Sequence, residues 1–153
     1  ICKESAVGFA SFAVILCATG NVDDGYRLGK MALSTLEKFQ AKECIAAICT
    51  AVQGIVNPWI DPMQSLLPLH KNAFDVGMQV GDTDNAMTNI HIYIGCALFS
   101  GERLEPLLKE MRMYSKQMLE HSPLMHTMTK PFQQFTLNLL GRSADPIKLI
   151  GEE

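Results

Sequence analysis

The chain predicts an all-α fold of about seven helices paired into antiparallel hairpins, and three observations carry that reading. Apolar residues recur at helical spacing along most of the 153 residues. No stretch alternates apolar and polar residues with the period of a strand. The periodic stretches are separated by glycine, asparagine, aspartate and proline, the residues that end one helix and cap the next. The clearest corner is Gly81-Asp82-Thr83-Asp84-Asn85-Ala86. Glycine there can take the left-handed conformation that closes a helix, Asp or Thr can cap the following one, and a small residue at Ala86 lets the two helices approach.

The elements follow in order. The first helix is expected over Glu4–Thr19, ending at Gly20-Asn21. It lies in an uncharged stretch, Ser5–Val22, that Gly8, Ser11, Thr19, Gly20 and Asn21 dilute. A membrane span needs about 20 predominantly apolar residues, so a buried helix is the expectation. The second covers Asp24–Phe39 with Asp23 or Asp24 as cap, and Leu28, Met31, Ala32, Thr35, Leu36 and Phe39 share one face. The third, Lys42–Val56, is nearly all small or apolar and should be central; Asn57-Pro58-Trp59-Ile60-Asp61-Pro62 should break it.

The fourth helix, Met63–Val80, carries Leu66, Leu67, His70, Ala73, Phe74, Gly77 and Met78 on its apolar stripe, with Pro68 as an alternative start. The fifth covers Thr83–Phe99 and stops at Ser100-Gly101. In the sixth, Leu104, Leu107, Leu108, Met111, Tyr114, Met118 and Leu119 point inward and the charged residues outward, with Pro106 in the first turn, where its missing N–H is harmless. The last, Leu124–Leu140, is expected to be interrupted at Lys130-Pro131 and closed by Gly141.

Composition narrows the function classes. A net charge of −3, from 13 basic and 16 acidic residues, gives no footprint for nucleic acid. Hydrophobic residues make up 48% and charged residues 19%, and the mean hydropathy is +0.11, an apolar balance that suits faces meeting neighbouring domains. Five cysteines without paired spacing fit reduced thiols in a cytoplasmic protein. The start at Ile1 and the end at Gly151-Glu152-Glu153 suggest a region of a longer chain, with a helical domain over residues 1–141 and the start of a linker over 142–153.

A weak internal repeat is present. Gly20-Asn21-Val22-Asp23-Asp24-Gly25 and Gly81-Asp82-Thr83-Asp84-Asn85-Ala86 share a turn glycine, acidic residues and a small residue five places on; Ala32-Leu33 follows the first copy. Both resemble the turn and second helix of a tetratricopeptide repeat, which implies stacked hairpins in a solenoid. The two glycines stand 61 residues apart, unlike the roughly 34-residue period of a regular array, and Gly25 occupies a place where the repeat prefers alanine.

A wider resemblance spans nearly the whole chain. Gly25-Tyr26-Arg27-Leu28-Gly29-Lys30-Met31-Ala32-Leu33 is followed by Pro58-Trp59, Gly81-Asp82 with Ala86, Gly101 with Leu104, Gln134, Asn138-Leu139 with Gly141, and Pro146, Leu149 and Gly151. This order is similar to the tetratricopeptide-like helical region of large multidomain AAA/STAND-type predicted ATPases. In that family a kinase-like domain and the ATPase precede the region, and sensor modules with a histidine kinase or a cyclase follow it. The resemblance implies a non-catalytic scaffold between those domains, with the nucleotide-binding and phosphorylation motifs outside this stretch.

No constellation of catalytic residues is legible, and no catalytic, cofactor-binding or metal-binding residue is assigned. His70, His91, His121 and His126 make no His-x-x-x-His or Glu-x-x-His pair, and Cys44 and Cys49 are five apart, so structural histidines and buried thiols are expected. Met111, Met113, Met118, Met125 and Met128 read as core filling in preference to a peptide groove, and Trp59 as a plug between helix layers in preference to an exposed anchor. There is no G-x-x-x-x-G-K-[ST] loop and no G-x-S-x-G setting. The expected function is thus a helical scaffold whose partners are flanking domains or other proteins, with no cofactor, nucleic acid or membrane. The alternatives are a stand-alone tetratricopeptide-like peptide-binding adaptor, marked by a concave face rich in Asn, Lys or Arg, and a small helical enzyme with a polar cluster in a pocket.

Overall fold

The computed structural model describes residues 1–147, so the segment from Lys148 on, with Leu149 and Gly151, lies outside the described residues. Among the described residues all regular structure is helical. Helices α1 (Lys3–Ala18) and α2 (Val22–Phe39) form one hairpin, α4 (Met63–Val80) and α5 (Thr83–Phe99) a second, and α6 (Leu104–His121) and α7 (Pro123–Leu139) a third. Between the first two lies α3 (Ile45–Ala51), entered through a 3₁₀ turn, Lys42–Cys44. It leaves through a π-helical turn, Val52–Val56, and a second 3₁₀ turn, Asn57–Trp59. The π turn packs on α1, α2 and α4, while α5 touches α3, α4, α6 and α7.

The first hairpin is a seam of small side chains. Ala6, Ala10, Ala13 and Cys17 recur at helical spacing on α1 and are buried against the side of α2 that carries Gly25 and Ala32, while Gly29 of α2 faces Val52 and Val56 of the π turn. Such a seam lets the two backbones come close, and it pushes the large apolar residues to other faces. Phe12 and Ile15 are each 54% exposed and Met31 is 48% exposed. The first helix, uncharged from Ser5 on, is therefore buried on one side only, and Met31 and Phe39 lie off the buried stripe of α2. No helix among the described residues is long and apolar enough to cross a membrane. The cap of α2 is Asn21, not Asp23 or Asp24: its side chain accepts from the Asp24 N–H at 3.4 Å.

The second and third hairpins hold the larger core. Leu67, Phe74, Met87, Ile90, Tyr93, Ile94, Leu107, Met111, Tyr114 and Met118 are buried together. The left-handed glycine of the turn between α4 and α5 is as expected: Gly81 has φ +84°, and the Asp82 N–H closes back on the Gly77 carbonyl at 2.9 Å. The side-chain cap is not: Asp82 holds the cap position of α5, but its carboxylate accepts from the Asn85 side-chain amide and bonds no backbone N–H of the first turn. A Cβ placed on Gly77 would lie 3.0 Å from both the Ala46 and Ala86 methyl groups, so three backbones meet there. Leu119, expected inside, is exposed; Met118 fills the buried position beside it.

The helical stretch begun by α3 stops inside the expected Asn57–Pro62 break, with tighter 3₁₀ winding carrying it through Trp59 before the chain turns at Ile60–Pro62. Two expectations about prolines are corrected. Pro68 does not start α4 but sits in its second turn, and Pro131 does not interrupt α7. Both prolines are exposed, as are Gln64 and Thr127, whose carbonyls each lose a helical partner; water can serve those carbonyls, so the helix continues. From Leu140 to Ile147 the chain makes turns only, held by the Arg142–Glu105 ion pair and by the Asn138 amide donating to the Pro146 carbonyl at 3.0 Å.

Candidate functional site

Two polar clusters and one set of exposed apolar faces stand out. The first cluster is centred on His70, which α4 aims at the junction of α3, the π turn and α5, and which is fully buried. Its Nδ1 lies 2.8 Å from Asn89 Oδ1. The Asn89 amide nitrogen is taken by Ala46 O, Thr50 Oγ1 and Asn85 O at 2.8–2.9 Å, so Oδ1 must accept and His70 Nδ1 must carry the proton. The other ring nitrogen, Nε2, is left as a buried acceptor with no hydrogen-bond partner among protein atoms. Burial holds the His70 imidazole below its ordinary pKa range, opposed by the Asn89 contact and the Gln53 carbonyl.

Cys49 lies beside this pair, its Sγ 3.8 Å from His70 Nδ1. The two do not form an activated thiol and base. Nδ1 already donates to Asn89, and burial pushes the Cys49 thiol up to about 12, so the sulfur stays protonated. Next to it, Asn57 Nδ2 donates to Gln53 Oε1 at 2.7 Å, which fastens the π turn to the 3₁₀ turn that follows. The cluster is built to hold three segments together.

The second cluster joins α4, α5 and α6. Tyr93 donates to Glu110 Oε2 at 2.5 Å, and Lys71 donates to Glu110 Oε1 at 3.0 Å while lying over the Tyr93 ring at 4.6 Å. Burial and Glu110 push the Tyr93 hydroxyl up to about 12, with Lys71 acting the other way. Lys71 is raised by its contacts with Glu110 and Tyr93, against the effect of burial.

The sequence-stated candidates scatter. His91 is half-buried and bonded to Thr129 at 2.8 Å, His126 is half-buried, and His121 is exposed. Met111 and Met118 are core residues and Met125 packs at its edge, whereas Met113 and Met128 are exposed, so the methionines neither line one groove nor all fill the core. Cys44 is half-buried and Cys49 buried. Among the described residues no three His, Cys, Asp or Glu side chains gather as a metal site would require. Trp59 is not a plug: it is 65% exposed, because Val56 and Asn57 take the inward positions of that tight turn. Sequence reasoning missed Asn89, although its place on the buried stripe of α5 between Ala86 and Tyr93 was a usable signal. The pairing of Tyr93 with Glu110 had none.

The exposed faces are apolar at both ends of the chain. On α7, Leu124, Met128, Phe135 and Leu139 are exposed at spacings that place them in one stripe along the outer side. On α1, Val7, Phe12 and Ile15 are exposed. Comparison with protein-family models, curated proteins and solved structures finds no significant match to this chain.

Proposed function

We propose that this chain is a non-catalytic helical scaffold, joining the ATPase and the sensor or kinase domains of a multidomain signalling protein and relaying between them. The observation that carries the proposal is the pair of uncovered apolar faces. The stripe on α7 and the exposed residues of α1 belong to hairpins packed on different parts of the chain. An array of helical hairpins needs polar outer faces where it ends in water, and uncovered apolar ones where further structure stacks on it. The two polar clusters add support, since each ties several helices and neither opens as a reactive site. In this reading the hairpins stack in the tetratricopeptide-like manner. The contacts at Gly77 leave little room for sliding, so a displacement at one end would be passed on by rigid packing.

The test replaces residues 1–153 in the longer protein with a flexible linker of matched span and measures output activity with and without nucleotide. The expected result is loss of nucleotide control with each flanking domain still folded. Unchanged control reduces the region to a spacer, and ATP turnover by the isolated chain overturns the proposal. Trp59→Ala offers a finer arm: the exposed ring can be removed without unfolding the chain, and coupling should weaken if it anchors a neighbour.

A further inference from the structure

A groove of about 370 Å³ runs along the first hairpin between α1 and α2. Phe9 and Met31 form an apolar floor, and Arg27, Lys30 and Lys38 stand around it. No carboxylate is among the residues that line it. Positions 27, 31 and 38 fall on one face of α2, with Lys30 beside them. The cations thus make a row about 16 Å long, at about 1.5 Å of helix rise per residue.

We propose that this groove docks an acidic amphipathic peptide segment of a partner protein. An apolar side chain of the peptide rests on Phe9 and Met31, and carboxylates on either side reach Arg27, Lys30 and Lys38. The length of the row favours charges distributed along a segment, since a single anionic headgroup reaches only one end of it. The present ion pairs of these cations are long and reachable from solvent: Arg27–Asp24 and Lys30–Asp61 are each 3.4 Å apart and partly or largely exposed. Lys30 also lies over the Tyr26 ring at 4.6 Å, and Lys38 rests over the Phe39 ring. Charge complementarity of this kind speeds encounter, rejects basic segments and weakens with salt. The inference needs no flanking domain, so its failure and that of the scaffold reading are separate results.

The experiment measures anisotropy of a fluorescein-labelled, helix-forming 12-residue peptide with two leucines four residues apart between glutamates, titrated with the full chain. A peptide carrying lysines for the glutamates and phosphatidylserine vesicles are run in parallel. Saturable binding of the acidic peptide alone is expected, weakening at least threefold between 50 and 300 mM salt. The double variant Arg27→Glu/Lys38→Glu and the single variant Met31→Asp should each lose tenfold or more, while Lys109→Glu, on the exposed side of α6, should bind as wild type. All these positions are exposed, and circular dichroism of each variant checks that it is folded. Absence of saturable binding, equal binding of the lysine peptide, or binding untouched in both groove variants overturns the proposal. Binding to vesicles without binding to the peptide overturns it in favour of a membrane surface.

Discussion

Gly25 faces Cys17 across the first hairpin so closely that a Cβ built on Gly25 would lie 2.5 Å from the Cys17 sulfur. It would also lie 3.0 Å from the Ala13 carbonyl oxygen, which cannot turn away as a side chain can. The glycine at this position thus has a local cause. Gly25→Ala should destabilise the chain by about 1 kcal/mol, because overpacking of roughly 1–3 kcal/mol outweighs a helix-propensity gain of about 1 kcal/mol. Gly8→Ala, also within a helix but with nothing within 4 Å of the new methyl group, should stabilise by about 0.5–1 kcal/mol. Urea denaturation of the two variants should give opposite shifts; equal shifts would remove the close seam from the account.

Gly81 offers a different test, because its restriction is in the backbone alone. With φ +84° and open space around it, Gly81→Val should lose about 1–2 kcal/mol or more, and Gly81→Asn distinctly less. Ala86→Leu acts at the same corner through packing against Gly77 and should lose roughly 1–3 kcal/mol. Thermal melts that match wild type would show that the α4–α5 hairpin is not the packed unit described.

The burial of His70 makes stability depend on pH. Its folded pKa lies below the ordinary value of about 6.5, so as pH falls the unfolded chain takes up the proton first. Stability should therefore decline below about pH 6.5, by at most about 1.4 kcal/mol per pH unit for this one group. Burial shifts His91 in the same direction, and burial with Lys130 does so for His126. Denaturation at several pH values should show a shallower slope in His70→Gln than in wild type. A slope unchanged by the substitution would remove His70 as its source.

Tyr93 should ionise near pH 12, about two units above a free phenol. The difference in phenolate absorbance between wild type and Tyr93→Phe isolates its titration. Because the folded pKa is raised, the stabilisation is fully present below about pH 10 and is lost as pH rises through about 12. At neutral pH, Tyr93→Phe should lose about 1 kcal/mol, at the low end for a hydrogen bond to a charged group because Glu110 is partly exposed. A transition near pH 10 would mean that Tyr93 is neither buried nor bonded to Glu110 in solution as described.

What the sequence determined by itself was set by interactions within about one helical turn. The helical class follows from periodicity, the corner at Gly81 from the energetics of one left-handed residue, and the buried stripe of α4, with His70 on it, from side chains three and four positions apart. The tertiary structure decided which apolar face is covered and by what. Periodicity ranks Met31 and Phe39 above Gly25 and Gly29 as core residues, yet the reverse is observed. Small residues on two helices allow an approach that large ones prevent, and whether a partner seam exists is information held on the other helix. The same reason applies to Asn89 and His70, nineteen positions apart, and to Trp59, which points outward because Val56 and Asn57 fill the space beneath it. A residue's own neighbours in the chain decide its helix, but the shape of the surface that arrives against that helix decides whether the residue is core or contact.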